Sequence, residues 1–153
     1  MKIGLNRSRK PVFWLLLLVA GCTERQPHPA RNYTADNLIP SDSVVVVYVH
    51  QKKGCITCRA ISQAMERAEE RFASSPVAFR DWLINQGRGE TMATTCNLSY
   101  AGVVVCRRDS TRLLFSNLTA DAFLLATVRP DSLDRLIDAA IGRHLKALQM
   151  KND

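Results

Sequence analysis

Hydrophobic and polar positions follow three different rhythms along this 153-residue chain. Val12 to Ala20 is continuously apolar, and so is the shorter β-branched run Val44–Val49, the pattern of a strand covered on both faces. From Cys58 the rhythm changes. Cys58, Ile61, Met65, Ala68 and Phe72 recur at alternating helical intervals, while Arg59, Gln63, Glu66, Arg67, Glu70 and Arg71 occupy other faces. That spacing predicts one amphipathic helix ending near Ser74-Ser75-Pro76. Val77–Ile84, with Trp82, reads as a second strand, which Asn85-Gln86-Gly87-Arg88-Gly89-Glu90 breaks. Residues 90–100 suit a short helix and a loop. Gly102–Arg107 and Arg112–Ser116 predict an antiparallel hairpin. Behind Pro130, Asp131 or Ser132 caps a last helix whose buried stripe is Leu133, Leu136, Ile137, Ala140, Ile141, Leu145 and Leu148. His144 flanks that stripe and reads as a helix-boundary histidine rather than a ligand.

The first apolar run is set apart from the rest. Lys2, Arg7, Arg9 and Lys10 precede it, and small residues close it at Cys22, the layout of a secretory signal. Val12 to Ala20 is too short to cross about 30 Å of hydrocarbon as a helix. Residues 1–21 are therefore expected to be removed. Residues 22–40, which hold three prolines and no apolar periodicity, read as a flexible tether, with His28 solvated within it. Residues 41–153 suffice for one domain with one core. Neither an internal repeat nor a low-complexity block interrupts them.

Charge changes the picture less than it first suggests. The formal net charge is +7, and loss of the four signal cations leaves +3. No Lys/Arg stripe interleaved with aromatics remains in the mature part, so a nucleic-acid partner is not expected.

The ending Val19-Ala20-Gly21-Cys22 resembles the lipobox of bacterial lipoproteins. That resemblance implies cleavage before Cys22 and its lipidation with several acyl chains, enough for stable anchoring. It also implies a periplasm-facing place in the bacterial cell envelope; Thr23, where an Asp would favour inner-membrane retention, leans toward the outer membrane. Of the five cysteines, four then remain, Cys55, Cys58, Cys96 and Cys106, an even number that suits an oxidising compartment.

Cys55-Ile56-Thr57-Cys58 admits three readings: a redox pair, half of a metal site, or a structural crosslink. Its context favours the first. The order strand, helix, strand, irregular segment, hairpin, helix, with C-x-x-C opening the first helix, resembles the thioredoxin fold over residues 43–148. The resemblance implies an α/β domain: a β-α-β unit followed by a β-hairpin and a C-terminal helix, around a central mixed sheet with helices on both faces. It further implies a thiol–disulfide oxidoreductase that works without a cofactor on envelope proteins carrying thiols or disulfides. At a helix N-terminus, free N–H groups and the positive dipole end favour a thiolate, and Lys52, Lys53 and Arg59 add positive charge. Cys55 is thus the expected nucleophile. Cys58, on the apolar stripe, suits the resolving role. His50, at the end of the first strand, is either a base steering protons for Cys58 or a plain polar strand-end residue.

Three departures limit the resemblance. Gly54 stands where thioredoxins place Trp and Thr57 where they place Pro. Tyr100-Ala101-Gly102 occupies the approach to the third strand, where the family usually has a cis-proline. Lys53, Thr57, Ala101 and Gly102 are therefore candidate modulators. In this fold Cys106 falls at the pole opposite Cys55. Cys96 could reach it in a structural disulfide only if residues 97–101 fold back, because five strand residues span about 16 Å and a disulfide tolerates about 7 Å between Cα atoms. Cys96 and Cys106 stand as a bridge or as extra thiols.

Two other functions compete. Cys55 and Cys58 with His50 or Met92 could hold a soft ion such as Cu(I). Thioredoxin-like copper-delivery proteins usually use C-x-x-x-C, however, and a second C-x-x-C that would complete a four-thiolate zinc site is missing. The other alternative is a redox-inactive protein-interaction domain that keeps the disulfide as a crosslink.

Overall fold

A computed structural model describes residues 38–52 and 54–152, with backbone only at 151 and 152. Cys22, the signal segment, most of the tether and Lys53 lie outside the described residues. In order the elements are β1 (Val44–His50), α1 (Ile56–Arg71), β2 (Val77–Leu83), α2 (Gly87–Thr95), β3 (Gly102–Asp109), β4 (Arg112–Asn117), α3 (Thr119–Leu125) and α4 (Pro130–Asn152).

β1, apolar from Val44 to Val49, is central, as its lack of alternation requires. The strand order is β2-β1-β3-β4, with β1 and β2 parallel and the other pairs antiparallel. Val44, Val46 and Tyr48 point into one core with Ile61, Met65, Ile137 and Ile141 from α1 and α4. Val45, Val47 and Val49 point into a second core with Met92 from α2. A β-α-β unit followed by a hairpin and a helix, on a mixed four-stranded sheet with helices on both faces, is a thioredoxin-like fold.

Leu38 and Ile39, expected in the tether, are instead 6% and 1% exposed and belong to the second core. Two apolar residues among polar ones carry no period, and only the sheet face they cover reveals them. The hairpin is longer than expected, because β3 runs to Asp109 and β4 to Asn117. Ser110 makes the tight reversal possible by taking a left-handed φ of 54°.

The glycine-rich break after β2 starts a helix. A Cβ at Gly89 would come 2.0 Å from the carbonyl oxygen of Leu83, so glycine here lets α2 lie directly against the end of β2. The segment after β4, to which no element was assigned, forms α3. Leu118 is its N-cap, and Asn117 Oδ1, just before it, accepts from the Thr119 N–H at 3.0 Å.

Two doubly bonded ion pairs tie α1 to α4. Arg67 Nε and Nη2 donate to Asp134 at 2.9 Å each. Arg71 does the same to Asp138 at 3.0 and 2.8 Å. Equal four-residue steps on both helices make them run parallel. Pro130 occupies the first turn of α4, where its missing N–H costs nothing. His144 lies within the buried stripe rather than at its boundary, at 9% exposure, hydrogen-bonded through Nε2 to Ser116 Oγ at 3.0 Å.

Candidate functional site

Cys55 and Cys58 are joined as a disulfide, their Cα atoms 4.9 Å apart. Cys55 is the N-cap of α1, with extended backbone at φ −99°, ψ 175°. The Cys58 N–H donates to Cys55 Sγ at 3.1 Å and the Arg59 N–H to the Cys55 carbonyl at 3.0 Å. A sulfur in the place normally taken by a Ser or Asp oxygen thus receives an orphan helix N–H. No acidic side chain lies in the first turn to oppose negative charge there. Cys55 is exposed; Cys58 and Thr57 are half-buried, with Cys58 packed against the first core. Ile56, between them, is 70% exposed.

The start of β3 lies at the same end of the sheet, since Gly102 pairs with Val49, next to His50. Gly102 is hemmed in: an added Cβ would meet Thr119 Oγ1 at 2.6 Å and Leu98 Cδ2 at 2.8 Å. Ala101 before it is half-buried and Tyr100 is exposed. No cis peptide bond occurs among the described residues.

His50 has partners that the sequence did not disclose. Its Nε2 is paired with Asp81 Oδ1 of the neighbouring strand, and its Nδ1 lies 2.6 Å from the Gln51 carbonyl oxygen. Its ring stacks on Tyr48, with centroids 4.9 Å apart. Burial, reinforced by the Asp81 charge, pushes the Tyr48 phenol up to about 12. Tyr48, His50 and Asp81 therefore form a polar group at the end of β1 that bears the disulfide, on the face that α1 covers. Asp81 gives no local signal, because it meets His50 only through the β1–β2 register.

Cys96 and Cys106 are elsewhere, buried in the second core as free thiols, so no bridge joins them. Cys106 lies opposite Val45, far along β3 from Gly102. The Cys96 thiol contacts Met92 Sδ at 3.4 Å, and the Cys106 thiol donates to the Val45 carbonyl at 3.3 Å. Burial raises the Cys96 thiol to about 11 and Cys106 higher still. Met92 accordingly sits across the sheet from Cys55 and Cys58, which removes it from the metal-ligand set considered above. Among the described residues no three His, Cys, Asp or Glu side chains come together as a metal site. None of the described helices is long and apolar enough to cross a membrane.

No family model and no curated protein matches the chain. Among solved structures, it is similar to a chloroplastic thioredoxin z at 12% identity and TM-score 0.38, over 60% of this chain and 80% of that one. A malarial protein overlaps 55% of this chain and 92% of its own, at 13% identity and TM-score 0.36. Overlaps this loose add nothing to the strand order, on which the thioredoxin-like fold rests.

Proposed function

We propose that the protein is a thiol–disulfide oxidoreductase of the bacterial cell envelope, lipid-anchored at Cys22, which exchanges disulfides with protein partners through Cys55 and Cys58. The observation that carries this reading is the asymmetry of the bonded pair. Cys55 is exposed and accepts a helix N–H, while Cys58 is half-buried one turn further in. In the reduced protein the Cys55 thiolate attacks a client disulfide, forming a mixed disulfide and releasing one client thiolate, which takes a proton from solvent. The Cys58 thiolate then attacks Cys55 Sγ, closes the intramolecular disulfide and expels the second client sulfur as a thiolate. The client gains two electrons and the pair loses two. With the potentials reversed, the same steps run backward and oxidise the client.

Trapping tests the division of labour. With Cys58→Ser, mixed disulfides between Cys55 and client proteins should accumulate, and alkylation of the reduced wild type near neutral pH should modify Cys55 well before Cys58. Cys55→Ser should trap nothing. Equal alkylation rates with no trapped partner in either variant would leave the disulfide a crosslink in an interaction domain. Anchoring is tested separately: the wild type should partition with membranes and carry lipid at Cys22, and Cys22→Ser should not.

A further inference from the structure

The two poles of the domain differ in character. One carries the disulfide. The other is built by the start of β1, the β3–β4 hairpin and the second half of α4, because α4 runs parallel to α1 and both lead away from Cys55. Ser116 and His144, hydrogen-bonded at 3.0 Å, fix how the hairpin and α4 meet. From that contact toward the second pole, β4 leads back through Leu114 to Arg112, and α4 leads on through Lys146 to Met150. Arg143, Lys146 and Met150 follow one another at steps of three and four residues, so they share a face of α4, and all three are exposed, as is Arg112. Leu114 and Met150, 37% and 71% exposed, set apolar groups among these cations. Arg107 adds charge from beneath, near enough for it and Arg143 both to act on His144.

Acids do not cancel this charge. In α4 they lie in the first half, where Arg67 and Arg71 hold Asp134 and Asp138, and none follows Asp138 as far as Asn152. Glu66, Glu69 and Glu70 belong to α1, which packs over β1 and β2, whereas α4 packs over β1 and β3. Asp42, before β1, and Asp109, opposite Arg112 in the hairpin, are the other acids of this pole. Among the described residues no ion pair engages Arg143 or Lys146.

We propose that this pole is a docking surface for an anionic phospholipid membrane, with Arg112, Arg143 and Lys146 against lipid phosphates and Met150 and Leu114 entering the headgroup layer. The proposal rests on the reading of Cys22 as a lipid anchor. The chain enters the domain at this same pole, since β1 begins there with Val44 opposite Arg107. A random coil of the length that separates Cys22 from Leu38 spans roughly 20 Å, so a lipid on Cys22 brings this pole to the surface first. Cations held near an anionic leaflet add to one another, and apolar side chains among them gain interfacial burial. Docked in this way, the domain turns Cys55 and the exposed Ile56 away from the bilayer, further out by about the length of β1, roughly 20 Å, and open to clients.

The test uses the mature chain beginning at residue 22 with Cys22→Ser, which keeps every described residue and lacks the acyl chains. At low salt it should float with vesicles of about one-third phosphatidylglycerol and not with phosphatidylcholine alone, and binding should fall steeply as salt is added. Arg112→Gln/Arg143→Gln/Lys146→Gln should weaken binding about a hundredfold, at roughly fivefold per cation. Lys52→Gln/Arg59→Gln, at the other pole, should leave it within about twofold. All the substituted cations are exposed, and unchanged melting checks the fold of each variant. The emission of Met150→Trp should shift to the blue on the anionic vesicles. Absence of binding at low salt overturns the proposal, as do equal losses in the two charge variants, equal binding to phosphatidylcholine or an unmoved Met150→Trp emission. Retention on a protein partner without retention on lipid overturns it too. Lipid on Cys22 of the wild type is read separately by mass, so a missing anchor and a missing docking surface give different results.

Discussion

Tyr48 shows what one residue in an otherwise apolar strand can cost. Its hydroxyl is buried and has no hydrogen-bond partner among the described residues, while the ring packs in the first core and against His50. An unsatisfied buried hydroxyl costs on the order of 1–3 kcal/mol. Tyr48→Phe should therefore raise stability by about 1 kcal/mol, measured by urea denaturation with an unchanged m-value. A loss of stability would mean that the hydroxyl is satisfied. His50 illustrates the opposite case, where the residue type was visible in the sequence and its partner was not. A histidine at a strand end suits many roles, and only the parallel register places Asp81, 31 residues away, against its ring.

At the scale of the element, periodicity identified α1 and α4 because each buries one stripe on a long regular helix. The buried set of α1, Ile61, Ala64, Met65 and Ala68, follows that stripe. Helix α2 was legible only over its second half, within residues 90–100, and α3 not at all, for physical reasons that differ. The first begins at Gly87, in a left-handed φ of 46°, and Gly89, which packs against the end of β2, so its start reads as a break. The second is seven residues long and buries only Ala122, too little to show a period. His144 makes α4 sensitive to pH. Burial, with Arg107 and Arg143 nearby, lowers its pKa below the ordinary 6.5. The folded state thus favours neutral imidazole, the unfolded chain binds the proton more readily, and stability present above about pH 6.5 is lost as the pH falls. Melting temperature should drop between pH 7 and 5, and His144→Gln should flatten that slope while lowering stability at pH 7. An equally steep slope in the variant would assign the pH dependence to other groups.

For the molecule as a whole, the covering of both sheet faces decides where the domain begins. Ile39 is 1% exposed against Val45, Val47 and their neighbours, so Ile39→Ala should cost about 2–4 kcal/mol. A variant beginning at Ser41 should lose at least as much, read by thermal melting against the mature chain; unchanged melting would place the boundary at residue 41 after all. The order of the main elements, the double burial of β1 and the helix-opening position of Cys55 were determined by the sequence alone, because strand runs, helical stripes and caps are properties of neighbouring residues. Tertiary structure alone decided that Asp81 faces His50, that Met92 lies across the sheet from Cys55, that Cys96 and Cys106 share a core as thiols, and that Leu38 and Ile39 belong to the fold. Each depends on strand register or on which sheet face is left to cover, and those are set by contacts between residues distant in the chain, where no local period extends.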